Sequence, residues 1–130
     1  MRGVGDRRTV MRRVATVMGL VAVTLAVASA AHLSGHVHGR GAPYDASHAG
    51  IAEAVIGVVL IFGADAVRRG APWSRAVGLA ATGFATAGFL LGLQFTARGG
   101  HLPDVAYHLT ILPVLVALVV VLARLDRPRR

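Results

Sequence analysis

Four long apolar segments constrain the fold of this chain more than any other feature. They cover residues 14–31, 49–67, 76–97 and 105–123, and each is 18 to 22 residues long. A helix rises about 1.5 Å per residue and the hydrocarbon core of a bilayer is about 30 Å thick, so each segment can cross it. No segment alternates with the period of two that a membrane β-barrel requires. The sequence therefore predicts an all-α membrane protein.

Glycine and proline residues separate the apolar segments and mark three connections, around residues 35–43, 70–72 and 99–103. Short connections join neighbouring helices as antiparallel pairs. The 130 residues therefore predict a single domain over residues 1–130, a four-transmembrane-helix up-down-up-down bundle. A weak similarity between residues 45–51 and 105–111 leaves open that the bundle is a duplicated helical hairpin.

The basic residues are all arginine, and their distribution predicts the orientation. Of the 14 arginines, only Arg40 and Arg98 fall on the side of the first and third connections. Positive charge is retained in the cytoplasm, so we expect a multi-pass protein of the cell membrane with both termini cytoplasmic. The arginines flank apolar segments and form no groove-sized patch, which excludes nucleic acid as a partner. The other twelve are Arg2, Arg7, Arg8, Arg12, Arg13, Arg68, Arg69, Arg75, Arg124, Arg127, Arg129 and Arg130.

The first apolar segment has a second interpretation. Its arginine-rich start, its apolar middle and the run Ala28-Ser29-Ala30 also fit a cleavable secretory signal, and Arg7-Arg8 fits a twin-arginine signal. A run of 18 apolar residues is long for a signal core, and three more spans follow. These features favour an uncleaved anchor, and cleavage of residues 1–30 would not change the orientation of the rest.

All six histidines fall on the predicted extracytoplasmic side, where two of them are spaced to pair with aspartates. Asp104 and His108 are four residues apart, and Asp45 and His48 are three apart, so each pair shares a helix face. A carboxylate in that position orients an imidazole that binds a metal. The competing interpretation is that the histidines are solvated at the interface and the aspartates cap their helices.

Two further arrangements of histidines extend the hypothesis of a metal site. The loop pair His36 and His38 can chelate a transition metal. His48 and His108, on different helices, could instead be the axial ligands of haem b. The candidate metal ligands are thus His48, His108, His36, His38, Asp104 and Asp45.

Glu53 lies about five residues inside the second apolar segment, where a charge needs a partner. A charged side chain at the bilayer centre costs roughly 3 kcal/mol and usually faces the bundle interior. We expect its partner to be Gln94, His108 or Thr110, with Tyr107 at the same level. One interpretation is a proton-handling or metal-binding carboxylate, and the other is a structural residue that fixes helix register.

Small residues in the third segment predict close helix contacts. Gly88 and Gly92 form a GxxxG match, which lets two helix backbones approach closely. Packing within the bundle and docking on a second copy or a partner membrane protein both fit this pattern. Asp65, near Arg68 and Arg69, is interpreted as a paired interfacial charge.

The sequence limits the function without defining it. It contains no cysteine, which excludes thiolate metal sites, and no phosphate-binding loop, nucleophile elbow or HExxH motif, which argues against an enzyme. Our first interpretation is an accessory or structural membrane protein that acts through helix contacts. The alternatives are a metal- or haem-binding redox protein and a proton-coupled small transporter that uses Glu53.

Overall fold

The computed structural model describes residues 2–125, with side chains from residue 5 onward, and its regular structure there consists of four helices. The predicted arginines Arg127, Arg129 and Arg130 lie outside the described residues. Each helix is long and apolar enough to cross a membrane, and the described residues contain no strand, which confirms the four helical segments. The helices are α1 (Arg2–Leu33), α2 (Ala46–Arg69), α3 (Ser74–Gly99) and α4 (Leu102–Arg124).

The helices pack in chain order around one apolar core. α1 contacts α2, α2 contacts α3 and α3 contacts α4, with a smaller contact between α1 and α4. Met18, Leu25, Leu60 and Leu115 are completely buried where these helices meet. Leucine and methionine thus contribute to the buried faces of α1, α2 and α4, whereas α3 buries mainly small residues.

Helix termini meet at two ends of the bundle, which we name by their residues. At the histidine end, the Ser29 hydroxyl near the end of α1 donates to the Gly50 carbonyl near the start of α2, over 2.7 Å. This end also holds residues 34–45, the end of α3 and the start of α4. At the arginine end, the Arg75 guanidinium at the start of α3 donates to the Leu122 carbonyl near the end of α4, over 2.7 Å. The start of α1 and residues 68–75 belong to the arginine end.

Local capping residues set the bounds of α2. The carboxylate of Asp45 accepts a hydrogen bond from the backbone N–H of His48 over 3.0 Å, as expected of a helix N-cap. That hydrogen bond lowers the pKa of Asp45 below its usual value. The helix ends at Gly70, whose φ of 68° lies in the left-handed region that favours glycine. The cap interpretation of Asp45 is therefore confirmed.

Asp65 and the two glycines of the GxxxG match have clear structural partners. Asp65 lies 3.0 Å from Arg68 and 2.6 Å from Arg69, which confirms that this carboxylate is paired. A Cβ added at Gly88 would lie 2.6 Å from Ile56 Cδ1 on α2, and one added at Gly92 would lie 2.8 Å from His108 Nε2 on α4. Both glycines therefore make room for neighbouring helices of the same chain, which supports packing within the bundle.

Candidate functional site

Five side chains with ionisable groups are buried together at the histidine end. Each is less than one-tenth exposed, although residues of these types rarely leave water unless they are paired. They comprise two carboxyls, two imidazoles and one phenol from three helices and the connection between α1 and α2. The members of this cluster, called the buried polar cluster below, are His32, Tyr44, Glu53, Asp104 and His108.

His32 lies at the centre of the buried polar cluster. Its Nδ1 is 2.7 Å from Glu53 Oε2, and its Nε2 is 2.7 Å from the Tyr44 hydroxyl and 3.6 Å from Asp104 Oδ2. When Nδ1–H donates to Glu53, Nε2 accepts from the hydroxyl of Tyr44. Both ring nitrogens of His32 therefore have a hydrogen-bond partner, and these two bonds hold the ring in one orientation.

Asp104 and His108 form a second unit of the cluster, one turn apart on α4. The Nδ1–H of His108 donates to the backbone carbonyl of Asp104 over 3.0 Å, and Nδ1 lies 3.5 Å from Asp104 Oδ1. Because Nδ1 carries the proton, Nε2 keeps the lone pair when the ring is neutral. The ring of Phe89 packs on this imidazole with a centroid separation of 5.0 Å. The structure thus brings together the predicted pair Asp104 and His108.

Two oxygen atoms in the cluster have no hydrogen-bond partner among the described residues, namely Glu53 Oε1 and Asp104 Oδ2. Buried polar atoms in folded proteins are nearly always paired, so such atoms need an explanation, for example a bound ion. His32, Glu53 and Asp104 can each offer one ligand atom, and these three atoms lie within 4.8 Å of one another. The cluster can therefore accept a cation, either protons on its carboxylates or a metal ion between them.

Tyr44 reaches the cluster from the connection between α1 and α2, which lies against the end of α3. The backbone N–H of Arg40 donates to the Gly99 carbonyl over 2.6 Å, and its guanidinium Nε–H donates to the Gly100 carbonyl over 2.8 Å. Burial and the nearby charge of Asp104 raise the pKa of Tyr44. The phenol therefore keeps its proton and remains a hydrogen-bond donor to the cluster.

A cavity of about 430 Å³ opens beside the cluster between α2 and α3. Most of its wall is apolar, and the buried residues with polar groups in its lining are Tyr44, Glu53, Thr96 and His108. Three members of the cluster therefore border a space that opens to the outside of the bundle. Its lining comprises Pro43, Tyr44, Asp45, His48, Ala49, Ala52, Glu53, Ile56, Gly88, Phe89, Leu91, Gly92, Phe95, Thr96 and His108.

The other predicted metal ligands lie at the surface. The side chain of His48 is 86% exposed, and that of Asp45 is 55% exposed with its Oδ1 3.5 Å from His48 Nδ1. His48 and His108 line the same cavity, with His48 exposed and His108 buried. His36 and His38 are exposed in the connection, where His36 Nδ1 lies 2.7 Å from the Ser34 hydroxyl.

The predicted intramembrane polar residues divide between the cluster and its surroundings. Glu53 belongs to the cluster, but its hydrogen bond goes to His32, which was not among its expected partners. Gln94 is exposed, and the hydroxyl of Thr110 bonds to its own helix, so neither is the partner of Glu53. The hydroxyl of Tyr107 shares a hydrogen bond of 2.9 Å with that of Thr24 on α1.

Sequence reasoning missed His32 and Tyr44 as members of a site. A signal for His32 existed, because Leu25, Ser29 and His32 are spaced by four and three and all three are buried on one face of α1. No comparable signal exists for Tyr44, which lies in an irregular connection.

No family model, no curated protein and no solved structure matches this chain. The fold and the site therefore define its class: a compact four-helix protein with four candidate membrane spans and a buried carboxylate–imidazole cluster at one end.

Proposed function

We propose that this chain is a multi-pass protein of the cell membrane that binds a divalent transition-metal ion at its histidine end. The ligands are His32, Glu53 and Asp104. The proposal rests on one observation: two buried carboxylates, each with an oxygen that lacks a partner, flank one buried imidazole. A cation between them would satisfy both oxygens and offset their charge.

Surface composition and charge support insertion in a membrane with up-down-up-down order. Large apolar side chains stand exposed around the bundle, among them Phe62 at 71%, Leu91 at 63% and Leu20 at 61%. An apolar surface of this kind is suited to lipid and poorly suited to water. The concentration of arginines at the other end supports cytoplasmic termini. The histidine end is then extracytoplasmic.

The donor set favours particular ions. One imidazole and two carboxylates, with no thiolate in the chain, suit Zn²⁺, Mn²⁺ or Fe²⁺ better than Cu⁺. His108 Nδ1 lies 3.5 Å from Asp104 Oδ1 and helps to orient that carboxylate. Metal ligands are usually supported by such a neighbouring group. Binding would release any protons held by the ligands, so the affinity should fall at low pH.

A bare ion fits the site better than haem b. Haem iron would need an open imidazole nitrogen on each side, whereas both nitrogens of His32 contact protein oxygens and Nε2 of His108 lies close to Gly92. A bare ion needs less room and would take the place of the Tyr44 hydroxyl at Nε2 of His32. The histidines that are free of such packing, such as His48, are exposed.

Binding is also favoured over proton transport through Glu53. Between the cluster and the arginine end, the core is formed by completely buried apolar side chains such as Met18, Leu60 and Leu115. The buried hydroxyl of Thr82 donates to the Gly78 carbonyl of its own helix. These apolar side chains separate the cluster from the arginine end, which favours binding at the cluster over passage through the bundle.

The test is a metal titration of the purified protein in detergent. We expect about one Zn²⁺, Mn²⁺ or Fe²⁺ per chain, measured by mass spectrometry of the bound metal and by calorimetry. His32→Ala and Glu53→Gln should each weaken the affinity by at least tenfold. Loss of a residue that only supports a metal ligand already costs about 10- to 100-fold, and loss of the ligand itself should cost no less.

Exposed histidines supply the matched controls. The variants His48→Ala and His36→Ala/His38→Ala remove imidazoles from the same end but not from the cluster, and should bind like the wild type. Loss of binding in the double variant alone would locate the ion in the loop and refute the buried site. A wild-type protein that binds none of these ions would leave the accessory role, through helix contacts, as the better account.

A further inference from the structure

The arginine end contains a second cavity, of about 550 Å³, with a different chemistry. Six arginines line it, from the start of α1, the end of α2 and the start of α3, and none of the carboxylates in residues 5–125 lines it. The described residues of its lining are Arg7, Arg8, Met11, Arg12, Val67, Arg68, Arg69, Gly70, Ala71, Pro72, Ser74 and Arg75.

The positive charge of this cavity exceeds what the neighbouring carboxylate can balance. Asp65 pairs with both Arg68 and Arg69, so one negative charge serves two guanidinium groups. Arg8 and Arg12 lie one turn apart on α1, and their guanidinium groups form no hydrogen bond or ion pair with residues 5–125. Two guanidinium groups that line the cavity are therefore available to a ligand.

The N-terminus of α3 lies in the same wall and adds a second feature that attracts anions. Ser74 and Arg75, the first two residues of the helix, line the cavity. The N-cap residue Trp73 makes no side-chain capping bond to the first backbone N–H groups. Helix N-termini carry partial positive charge and bind phosphate through such groups. Two independent features thus favour the same kind of ligand.

We propose that this cavity binds a phosphate group, supplied by an anionic phospholipid headgroup or by a soluble phosphate. Guanidinium groups bind phosphate oxygens through paired hydrogen bonds, and several of them around one cavity fit a group with more than one charged oxygen. The positive-inside rule requires only that arginines lie on one side of the membrane. Here arginines from three helices surround one cavity, which that rule does not explain. Arg13 and Arg124 at the same end lie outside the cavity. The proposal does not depend on the metal site.

The test compares two double variants that remove equal charge from the same end. Arg8→Gln/Arg12→Gln removes two lining residues, and Arg13→Gln/Arg124→Gln removes two that do not line the cavity. In nanodiscs of phosphatidylcholine with a minority of phosphatidylglycerol, native mass spectrometry counts the anionic lipid that each protein retains. A hydrogen bond from a guanidinium group to a charged oxygen contributes about 1.5 kcal/mol or more, roughly tenfold in affinity, so we expect a loss on the order of 100-fold for the lining pair. The outer pair attracts anionic lipid only through the general surface charge, which physiological salt screens, so its loss should stay below about fivefold.

A second arm distinguishes the source of the phosphate group. Phosphorus NMR of the protein in detergent measures binding of inorganic phosphate without anionic lipid. Retention of phosphatidylglycerol alone identifies a headgroup site, binding of inorganic phosphate identifies a site for a soluble ligand, and either result supports the proposal. Absence of both in the wild type overturns it.

Equal losses in the two double variants would also overturn the proposal, because they would show attraction to the whole charged surface. Circular dichroism checks that each variant remains helical. If the lining double variant does not fold, the single variant Arg12→Gln replaces it, with an expected loss of roughly tenfold relative to Arg13→Gln.

Discussion

The two ends of the bundle both carry charged residues, but only the histidine end buries them. The side chain of Glu53 is 7% exposed, whereas that of Arg68, at the opposite end, is 73% exposed. An exposed arginine keeps its hydration, so its placement costs little and its pairing stabilises little. A buried carboxylate loses its hydration and must be compensated by specific partners.

The number of charged residues at one end of the bundle therefore does not indicate how strongly they affect stability. The arginines dominate the net charge of +8, but the fold would survive the loss of any exposed one. The buried polar cluster has fewer members and is far more sensitive, because each member depends on the others. Buried clusters of ionisable groups are typical of functional sites.

The largest expected effect comes from breaking the cluster at its centre. In His32→Ala, the two carboxylates lose the imidazole that lies between them. Glu53 loses the N–H group that donates to it and the Tyr44 hydroxyl loses its acceptor. Each buried group left without a partner costs about 1–3 kcal/mol, and more where it is charged, so we expect the free energy of unfolding to decrease by about 3–5 kcal/mol. Denaturant titration in detergent without metal measures it.

A substitution in the apolar core tests whether loss of stability and loss of metal binding can be separated. Leu115→Ala should also cost about 2–5 kcal/mol, because Leu115 is completely buried. It should keep the metal affinity of the wild type, since Leu115 is not part of the cluster. A large loss of metal binding in Leu115→Ala would show that the two regions are not separable.

A smaller effect is expected from crowding the cluster through α3. In Gly92→Ala, the added methyl would lie 2.8 Å from His108 Nε2, so the imidazole must shift. Overpacking of this kind typically costs about 1–3 kcal/mol and should weaken metal binding through Asp104.

Gly83→Ala is the matched control on the same helix. A Cβ at Gly83 meets nothing within 4 Å, so the change should be neutral or stabilise by up to about 1 kcal/mol through helix propensity. Equal destabilisation by the two alanines would mean that contact with His108 is not the cause.

The smallest effect is expected from Tyr44→Phe, which removes one hydrogen bond to His32 at a cost of about 1 kcal/mol. The pKa of Tyr44 is raised in the folded chain, whereas in the unfolded chain the phenol ionises near pH 10. The unfolded state therefore loses its proton first, and wild-type stability should fall as the pH rises past about 10.

That alkaline loss is measurable because the chain has neither lysine nor cysteine to titrate in the same range. The free energy of unfolding at about pH 8 and pH 11 should fall less in Tyr44→Phe than in the wild type. Parallel decreases would assign the effect to other groups, such as the second tyrosine, Tyr107.

The helices could be predicted from the sequence because apolar length alone identifies them. The structure extends α1 from the predicted 14–31 to Arg2–Leu33, because polar residues beyond an apolar segment can continue its helical hydrogen bonding. The predicted segment 105–123 corresponds closely to α4, Leu102–Arg124. Hydrophobicity thus defines the centre of a helix better than its ends.

The site could be predicted only where one helix determines it. Asp104 and His108 are four residues apart, so their contact follows from helix geometry. The need of Glu53 for a partner also follows from burial, but its identity depends on how α1 rotates against α2. Packing of Leu25 and Ser29 sets that rotation and brings His32 to Glu53. The path of residues 34–45, which delivers Tyr44, has no periodic signal.

The origin of the cluster members has a mechanical consequence. The pair α1 and α2 contributes one imidazole and one carboxylate, His32 and Glu53, and the pair α3 and α4 contributes Asp104 and His108. A metal ion bound between them would link the two helix pairs. Because the ion binds only when the pairs are packed together, binding would stabilise their packing, and loss of the ion would make their separation easier.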